Sequence, residues 1–270
     1  MSIEIYYFSG TGNSLHIAKE LQVRLPEVKL IPIVSLLGKD IIQTHSGTVG
    51  FVFPLYLTMV PAPVRKFLKK LDLNLSGYFF SIATRGGSFS FADTFVEKIL
   101  GKKGKSLDSF FDITMVTNTP TGIKPSAGDK NWIKLFTKEN ISKMESSVQK
   151  DLDVIQRVIA NKEKYPGKRS SMRFFFGNLF HSLTDGISSQ LKYYADSSCN
   201  GCGLCEKVCL SNKIKMAGKK PEWQKNIKCY YCFACFNCCP EESILLKNYT
   251  DKQGRYLYPG IAAGEIALQK

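Results

Sequence analysis

The sequence predicts an α/β chain: a doubly wound, five-stranded parallel sheet over residues 1–165, followed by a small cysteine-bound unit over residues 196–250. Three observations predict it. Apolar runs of strand length alternate with helical patterns through the first unit, which is how a parallel sheet covered on both faces reads. A short polar loop, SGTGNS, joins the first apolar run to the first helix. All nine cysteines fall between Cys199 and Cys239, in two runs of one spacing.

The elements follow in order. Residues 3–8, IEIYYF, are a buried strand. After the loop 9–14, Leu15, Ile17, Ala18 and Leu21 recur at helical spacing. Residues 28–34 form a second strand and 48–53 a third. The uncharged stretch GTVGFVFPLYLTMVPAPV, residues 47–64, is only marginally long enough to span a bilayer and holds Pro54, Pro61 and Pro63. It reads as strand, loop and helix start, with the helix running over 64–71. YFFSIAT, residues 78–84, is the fourth strand, 89–100 a helix and 110–116 the fifth strand. One long helix over 139–165 closes the sheet with Ile141, Met144, Val148, Leu152, Ile155 and Ile159 on one face.

Composition excludes little. The chain has 270 residues and a formal charge of +14. That balance suits an acidic partner protein or an anionic surface, and no nucleic-acid-binding module is recognisable. The opening residues lack a basic region followed by a long apolar one, so no signal peptide is expected. A disulfide scaffold would spread its cysteines through the chain. Their confinement to one segment favours a cytoplasmic protein with one cysteine-built site.

The loop 9–14 has the chemistry of an anion site: a strand feeding a helix N-terminus, with hydroxyls beside backbone N–H groups. A nucleotide P-loop would need a lysine that is absent. A dinucleotide fingerprint would need glycine where Leu15 stands, and an acid at the ribose position. SGTGNS closely resembles the S-x-T-G-N-T loop of flavodoxins. The resemblance implies an FMN phosphate held at Ser9, Thr11, Gly12, Asn13 and Ser14, and a flavodoxin-like strand order of 2-1-3-4-5. In that order the flavin lies by the carboxyl ends of strands one and three. It further implies flavin-ring contacts from Pro54, Leu55 and Tyr56 after strand three, and from Thr84, Arg85, Gly86 and Gly87 after strand four. Tyr56 is the expected stacking aromatic; the alternative is that it packs under the second helix. Arg85 offers the ring a cation; the alternative is a plain turn with a solvated arginine. Ser88 is positioned to cap the next helix.

The cysteine segment is the sharper signal. Cys199, Cys202, Cys205 and Cys209 read C-x2-C-x2-C-x3-C, and Cys229, Cys232, Cys235 and Cys239 repeat it, followed by Pro240. Three thiols two residues apart on a tight loop suit three corners of an iron–sulfur cube. Zinc knuckles pair across longer gaps. The segment from about Asp196 to Lys247 resembles bacterial two-[4Fe–4S] ferredoxins, a small α+β unit. The resemblance implies crossed ligand sets: Cys199, Cys202, Cys205 and Cys239 on one cluster; Cys229, Cys232, Cys235 and Cys209 on the other. Leu210 departs from the family's usual proline. Cys238, the extra cysteine, reads as a small buried residue beside the cluster, because spacing and Pro240 favour Cys239 as the ligand.

Between the units, residues 166–195 are aromatic and amphipathic. They read as an interdomain strap rather than a membrane-surface helix, and 251–270 as a C-terminal tail. Residues 118–138 match nothing. The two halves together resemble the fused flavodoxin–ferredoxin proteins of anaerobic prokaryotes. That implies an iron–sulfur flavoprotein that moves electrons between low-potential carriers through two [4Fe–4S] clusters and FMN. An FMN-dependent reductase of a small molecule, fed by the clusters, and a non-catalytic redox sensor are the alternatives.

Overall fold

The computed structural model describes residues 2–56, 59–86, 90–116, 137–167, 192–247 and 255–270. The first unit is a five-stranded parallel sheet. Its strands are β1 (Ile3–Tyr7), β2 (Val28–Pro32), β4 (Thr48–Pro54), β6 (Tyr78–Arg85) and β7 (Ser109–Thr114), ordered β2-β1-β4-β6-β7. Counting only these five, the order is 2-1-3-4-5, as expected. This topology is compatible with a flavodoxin-like fold. The remaining β3 (Ile42–Gln43) and β5 (Leu71–Asp72) make a separate two-residue parallel pair that the sequence gives no sign of.

The central strands are buried on both faces, which is why they read as continuous apolar runs rather than alternating ones. Every residue of β1 and β4 is buried. Gly50 in β4 is where the ring of Phe80 crosses the strand: a Cβ there would stand 2.1 Å from the ring's Cζ. Helices cover both faces: α1 (Asn13–Arg24), α3 (Ala62–Lys70), α4 (Ala92–Gly101) and α5 (Lys138–Ala160), with a one-turn α2 (Ile33–Leu36) after β2. Residues 47–64 fold as β4, a loop and the start of α3, with Pro61 and Pro63 at the helix entry where proline is tolerated. No helix among the described residues is long and apolar enough to cross a membrane. Thr137 starts α5 by accepting the Asn140 N–H at 3.2 Å, and Val148, Leu152, Ile155 and Ile159 are buried beneath it. The helix ends at Ala160, short of the expected 165. Beyond it Tyr165 bridges to Ser109 and stacks on Phe111.

The second unit carries two antiparallel pairs, Tyr193–Ala195 with Ile244–Leu246 and Ile214–Ala217 with Lys220–Trp223. Each cysteine run enters a one-turn helix, Leu204–Lys207 or Ala234–Asn237. The backbone repeats at an offset of 30 residues. Gly201, Gly203 and Asn212 have positive φ, and so do Tyr231, Phe233 and Glu242. Most of the strap, 168–191, and most of 118–138 lie outside the described residues.

Candidate functional site

The loops singled out in the sequence converge at the carboxyl edge of the sheet. β1 delivers Phe8, fully buried, whose N–H donates to Val52. The chain then turns through Ser9 to Gly12, and Gly12 enters α1 at φ 97°, a left-handed conformation that suits glycine. Ser9 Oγ accepts the Gly12 N–H at 3.1 Å. Ser14 Oγ meets Thr84 Oγ1 at 2.7 Å, tying the first loop to the end of β6. The Leu55 N–H donates to the Thr84 carbonyl at 2.9 Å, which brings in the loop after β4. Ser9, Thr11, Gly12, Asn13, Ser14, Pro54, Leu55, Tyr56, Thr84, Arg85 and Gly86 are thus one neighbourhood built from three loops. Gly87, together with Ser88, lies outside the described residues. α4 starts at Ala92, whose N–H donates to Ser90 Oγ.

Two of these residues have neighbours that the sequence does not reveal. Arg85 is partly exposed, and its Nε stands 3.7 Å from Asp112 Oδ1 on the neighbouring strand, which offsets its charge locally. The sequence hid this because the acid comes from β7. Tyr56 meets Phe8 edge-on, with ring centroids 6.2 Å apart, and its hydroxyl is buried although part of the residue is exposed. Burial raises that phenol well above its usual 10, and the ionisable groups acting on it are the thiols of Cys232 and Cys229.

The nine cysteines are free thiols, and their mutual electrostatics divide most of them between a first neighbourhood around Cys205 and a second around Cys229. Burial pushes Cys205 up to about 11, against a backbone hydrogen bond from Glu206; the thiols acting on it are those of Cys239, Cys199 and Cys202. Burial likewise pushes Cys229 up to about 11, and Cys209 acts on it. Cys232 and Cys235 are raised by burial and by Cys229 and Cys209 among their thiol neighbours. Cys239 thus acts within the first neighbourhood and Cys209 within the second, while Cys205 also acts on Cys235 and Cys238 on Cys232. Cys238 is buried, held up at about 12, and belongs to the main apolar core rather than to the small unit's own. Leu210 is 1% exposed in that same core. The Ser243 hydroxyl stands 3.3 Å from Cys239 Sγ, and the Tyr231 N–H donates to Cys229 Sγ at 3.3 Å. Among the described residues no three His, Cys, Asp or Glu converge tightly enough to hold one metal ion. The corners of a four-iron cube stand farther apart than the ligands of a single ion.

The second neighbourhood abuts the polar loop. A Cβ on Gly10 would lie 2.1 Å from the Cys232 carbonyl oxygen, so only glycine lets the two backbones approach. Tyr230, inside the second cysteine run, meets the Phe8 ring edge-on at 6.3 Å. At the surface end of the first neighbourhood, Cys202 is exposed.

The C-terminal segment, read from sequence as a tail, also holds this loop. Gln269 is fully buried; its Nε2 donates to the Ser9 carbonyl at 2.7 Å and its Oε1 accepts the Ser9 N–H at 2.9 Å. The Tyr258 N–H donates to Thr11 O, and Tyr256 Oη donates to Asn13 Oδ1. Tyr258 also stacks on His16 and donates to Glu145 Oε2 at 2.5 Å. Burial alone would raise the Glu145 carboxyl; hydrogen bonds from Tyr258 and Gln149, with His16 at 3.1 Å, bring it below its usual value. An open depression of about 340 Å³ lined by Asp40, Lys70, Asp72 and Lys103 lies at the sheet's amino edge, away from all of this.

No protein-family model matches the chain, and no curated protein does. Among solved structures, a "putative flavoprotein" from Bacteroides uniformis ATCC 8492 is similar at 14% identity and a TM-score of 0.33, over 42% of this chain and 90% of that one.

Proposed function

We propose that the protein is an iron–sulfur flavoprotein that passes single electrons between two [4Fe–4S] clusters and a flavin. What supports this is the doubled C-x2-C-x2-C-x3-C spacing, in which each run's fourth cysteine would join the other run's first three, with the Cys232 backbone seated against the polar loop of the sheet at Gly10. Four thiols to a neighbourhood is the donor set such a cluster takes. Burial keeps the thiols of Cys205, Cys229, Cys232 and Cys235 protonated without metal, and a coordinating metal removes such protons outright.

Residues 1–165 then form the flavin unit and 196–250 the cluster unit, with the 255–270 segment clamping the flavin loop. Cys199, Cys202, Cys205 and Cys239 would hold one cluster; Cys209, Cys229, Cys232 and Cys235 the other. Ser9, Thr11, Gly12, Asn13 and Ser14 would meet an FMN phosphate, and the loops after β4 and β6 its ring. Bound there, the clusters supply one-electron steps and the flavin one- or two-electron steps. The protein's part is positional. Gly10 allows close approach of the second cysteine run, Phe8 and Tyr230 fill the gap with apolar surface, and the buried loop excludes water. Cys202 leaves the first set at the surface, where a soluble carrier can dock; the charge of +14 favours an acidic one in the cytoplasm.

Anaerobic reconstitution followed by iron and flavin analysis tests the reading. About eight irons per chain and heat-released FMN are expected. Fewer than four irons, or recovery of FAD, refutes the corresponding half. Reduction assays against acidic carriers and against small molecules separate electron transfer from the reductase alternative.

A further inference from the structure

Two tyrosine hydroxyls are buried with no hydrogen-bond partner among the described residues, Tyr56 Oη and Tyr193 Oη. The same thiols act electrostatically on both. Cys232 and Cys229 act on Tyr56; Cys229, Cys235 and Cys232 act on Tyr193. A buried hydroxyl left unpaired is costly, and buried polar groups in folded proteins nearly always find a partner. Coincidence of two such orphans at one place points to an acceptor that the protein's own atoms do not supply.

Tyr56 is the more telling of the two, because it does not belong to the cysteine unit. It stands just past the carboxyl end of β4, fixed by the reciprocal bonds Tyr56 N–H to Met59 O and Met59 N–H to Tyr56 O, each 3.0 Å. Phe8 meets its ring edge-on from β1, and the same Phe8 meets Tyr230 of the second cysteine run. Phe8 therefore joins Tyr56 to the second cysteine run through one aromatic group, and at Gly10 the backbone of that run lies directly against the sheet edge.

We infer that the Tyr56 hydroxyl donates a hydrogen bond to a sulfur of the cluster held by Cys209, Cys229, Cys232 and Cys235, and so raises that cluster's reduction potential above that of the first. This rests on the two-cluster reading above. The physics is that reduction adds negative charge to the cluster, and a donor aimed at its sulfur favours the more negative state; hydrogen bonds to the sulfurs are among the settings of cluster potential. The phenol stays neutral and loses nothing itself. Neither orphaned tyrosine borders the first set, so the asymmetry is between the clusters. Electrons entering at the exposed Cys202 end would then run downhill toward the flavin side. Tyr56 is a positioning residue supplied by one unit to tune the other.

The test is an EPR-monitored redox titration of the reconstituted protein and its Tyr56→Phe variant, which keeps the ring and its contact with Phe8. One cluster should move to lower potential, its reduced-to-oxidised ratio at fixed potential falling roughly tenfold, about 59 mV for one electron. The other cluster should stay in place. Pulsed EPR of the wild type in deuterated water should show an exchangeable deuteron coupled to one cluster, and the variant should lack it. Unmoved cluster potentials, a shift of the flavin couple alone, or a wild type without that deuteron would overturn the inference. Iron analysis separates that failure from failure of the reading beneath it: a wild type with about eight irons and an unmoved variant condemns only the role of Tyr56, whereas a wild type without two clusters condemns both.

Discussion

Replacing Gly10 by alanine tests the contact on which the arrangement turns. The backbone at Gly10 is not in the left-handed region, so alanine meets no conformational objection there. The objection is spatial. The new Cβ would stand 2.1 Å from the Cys232 carbonyl oxygen and 2.9 Å from both that carbonyl carbon and the Cys232 Cβ. Ordinary carbon–oxygen contact begins near about 3.3 Å, so one backbone must retreat by more than about 1 Å. Overpacking of this kind costs about 1–3 kcal/mol. Separation also loosens the edge contact of Phe8 with Tyr230, worth about 0.5–1.5 kcal/mol. A total near 2–4 kcal/mol lowers the melting temperature by roughly 4–16 °C in a chain of this size. Because Cys232 carries a thiol of the second set, its displacement exceeds the roughly 0.5 Å that a preorganised site tolerates. Iron content should fall from about eight toward about four. Gly47→Ala is the control: nothing lies within 4 Å of a Cβ there, so its stability should change by less than about 1 kcal/mol. A Gly10→Ala protein that melts within about 2 °C of wild type and keeps all its iron would refute the reasoning.

Three further outcomes are expected. Gln269→Leu strips the Ser9 N–H and C=O of their side-chain partners in a buried place, costing about 2–4 kcal/mol, and hydrogen exchange should quicken at Ser9; protection equal to wild type would mean the C-terminal segment does not hold the loop. Glu145 is held below its usual value of 4.5, so the stability it contributes is present above that value and is lost as pH falls through the lowered one; the advantage of wild type over Tyr258→Phe, about 1.5–3 kcal/mol at pH 7, should shrink below about pH 4.5, and a pH-independent advantage would contradict the assignment. Cys239→Ser should lose one cluster while Cys238→Ser keeps two, read by iron content and EPR; the opposite pattern would exchange the roles of the adjacent cysteines.

How legible this was depends on where each signal comes from. The sheet was legible because its inner strands are buried on both faces, so apolar runs such as YFFSIAT mark strands directly, and their boundaries move by only a few residues. The crossed cysteine sets of the proposal rest on resemblance, since no local rule says that Cys239 joins Cys199. Features made by two distant segments were not legible. The Arg85–Asp112 pair joins adjacent strands whose register no sequence pattern reveals. Gln269 reaches Ser9 across 260 positions. A one-turn helix and an exposed-looking tail give no sign that their side chains close a loop at the other end of the chain.

The repeat inside the cysteine unit shows which face was fitted to the sheet. At equivalent places the first run has Gly201 and Gly203, and the second has Tyr231 and Phe233, all four at positive φ. Glycine adopts that conformation freely, whereas other residues held there cost about 1–3 kcal/mol each. Such strain persists only where surrounding packing fixes the backbone. Phe233 has that packing: it is buried in the unit's own core against Tyr193 and beside Phe236, Ile244 and Leu246. Tyr230, its neighbour in the same run, turns the other way and meets Phe8. The first run has polar or glycine residues at these positions, Asn200 and Gly203, and its Cys202 is exposed. The two halves of the repeat share a backbone but differ in surroundings, one dressed in aromatics and pressed against the sheet edge, the other open. If the two runs hold clusters as proposed, that difference would place the two clusters in unlike surroundings.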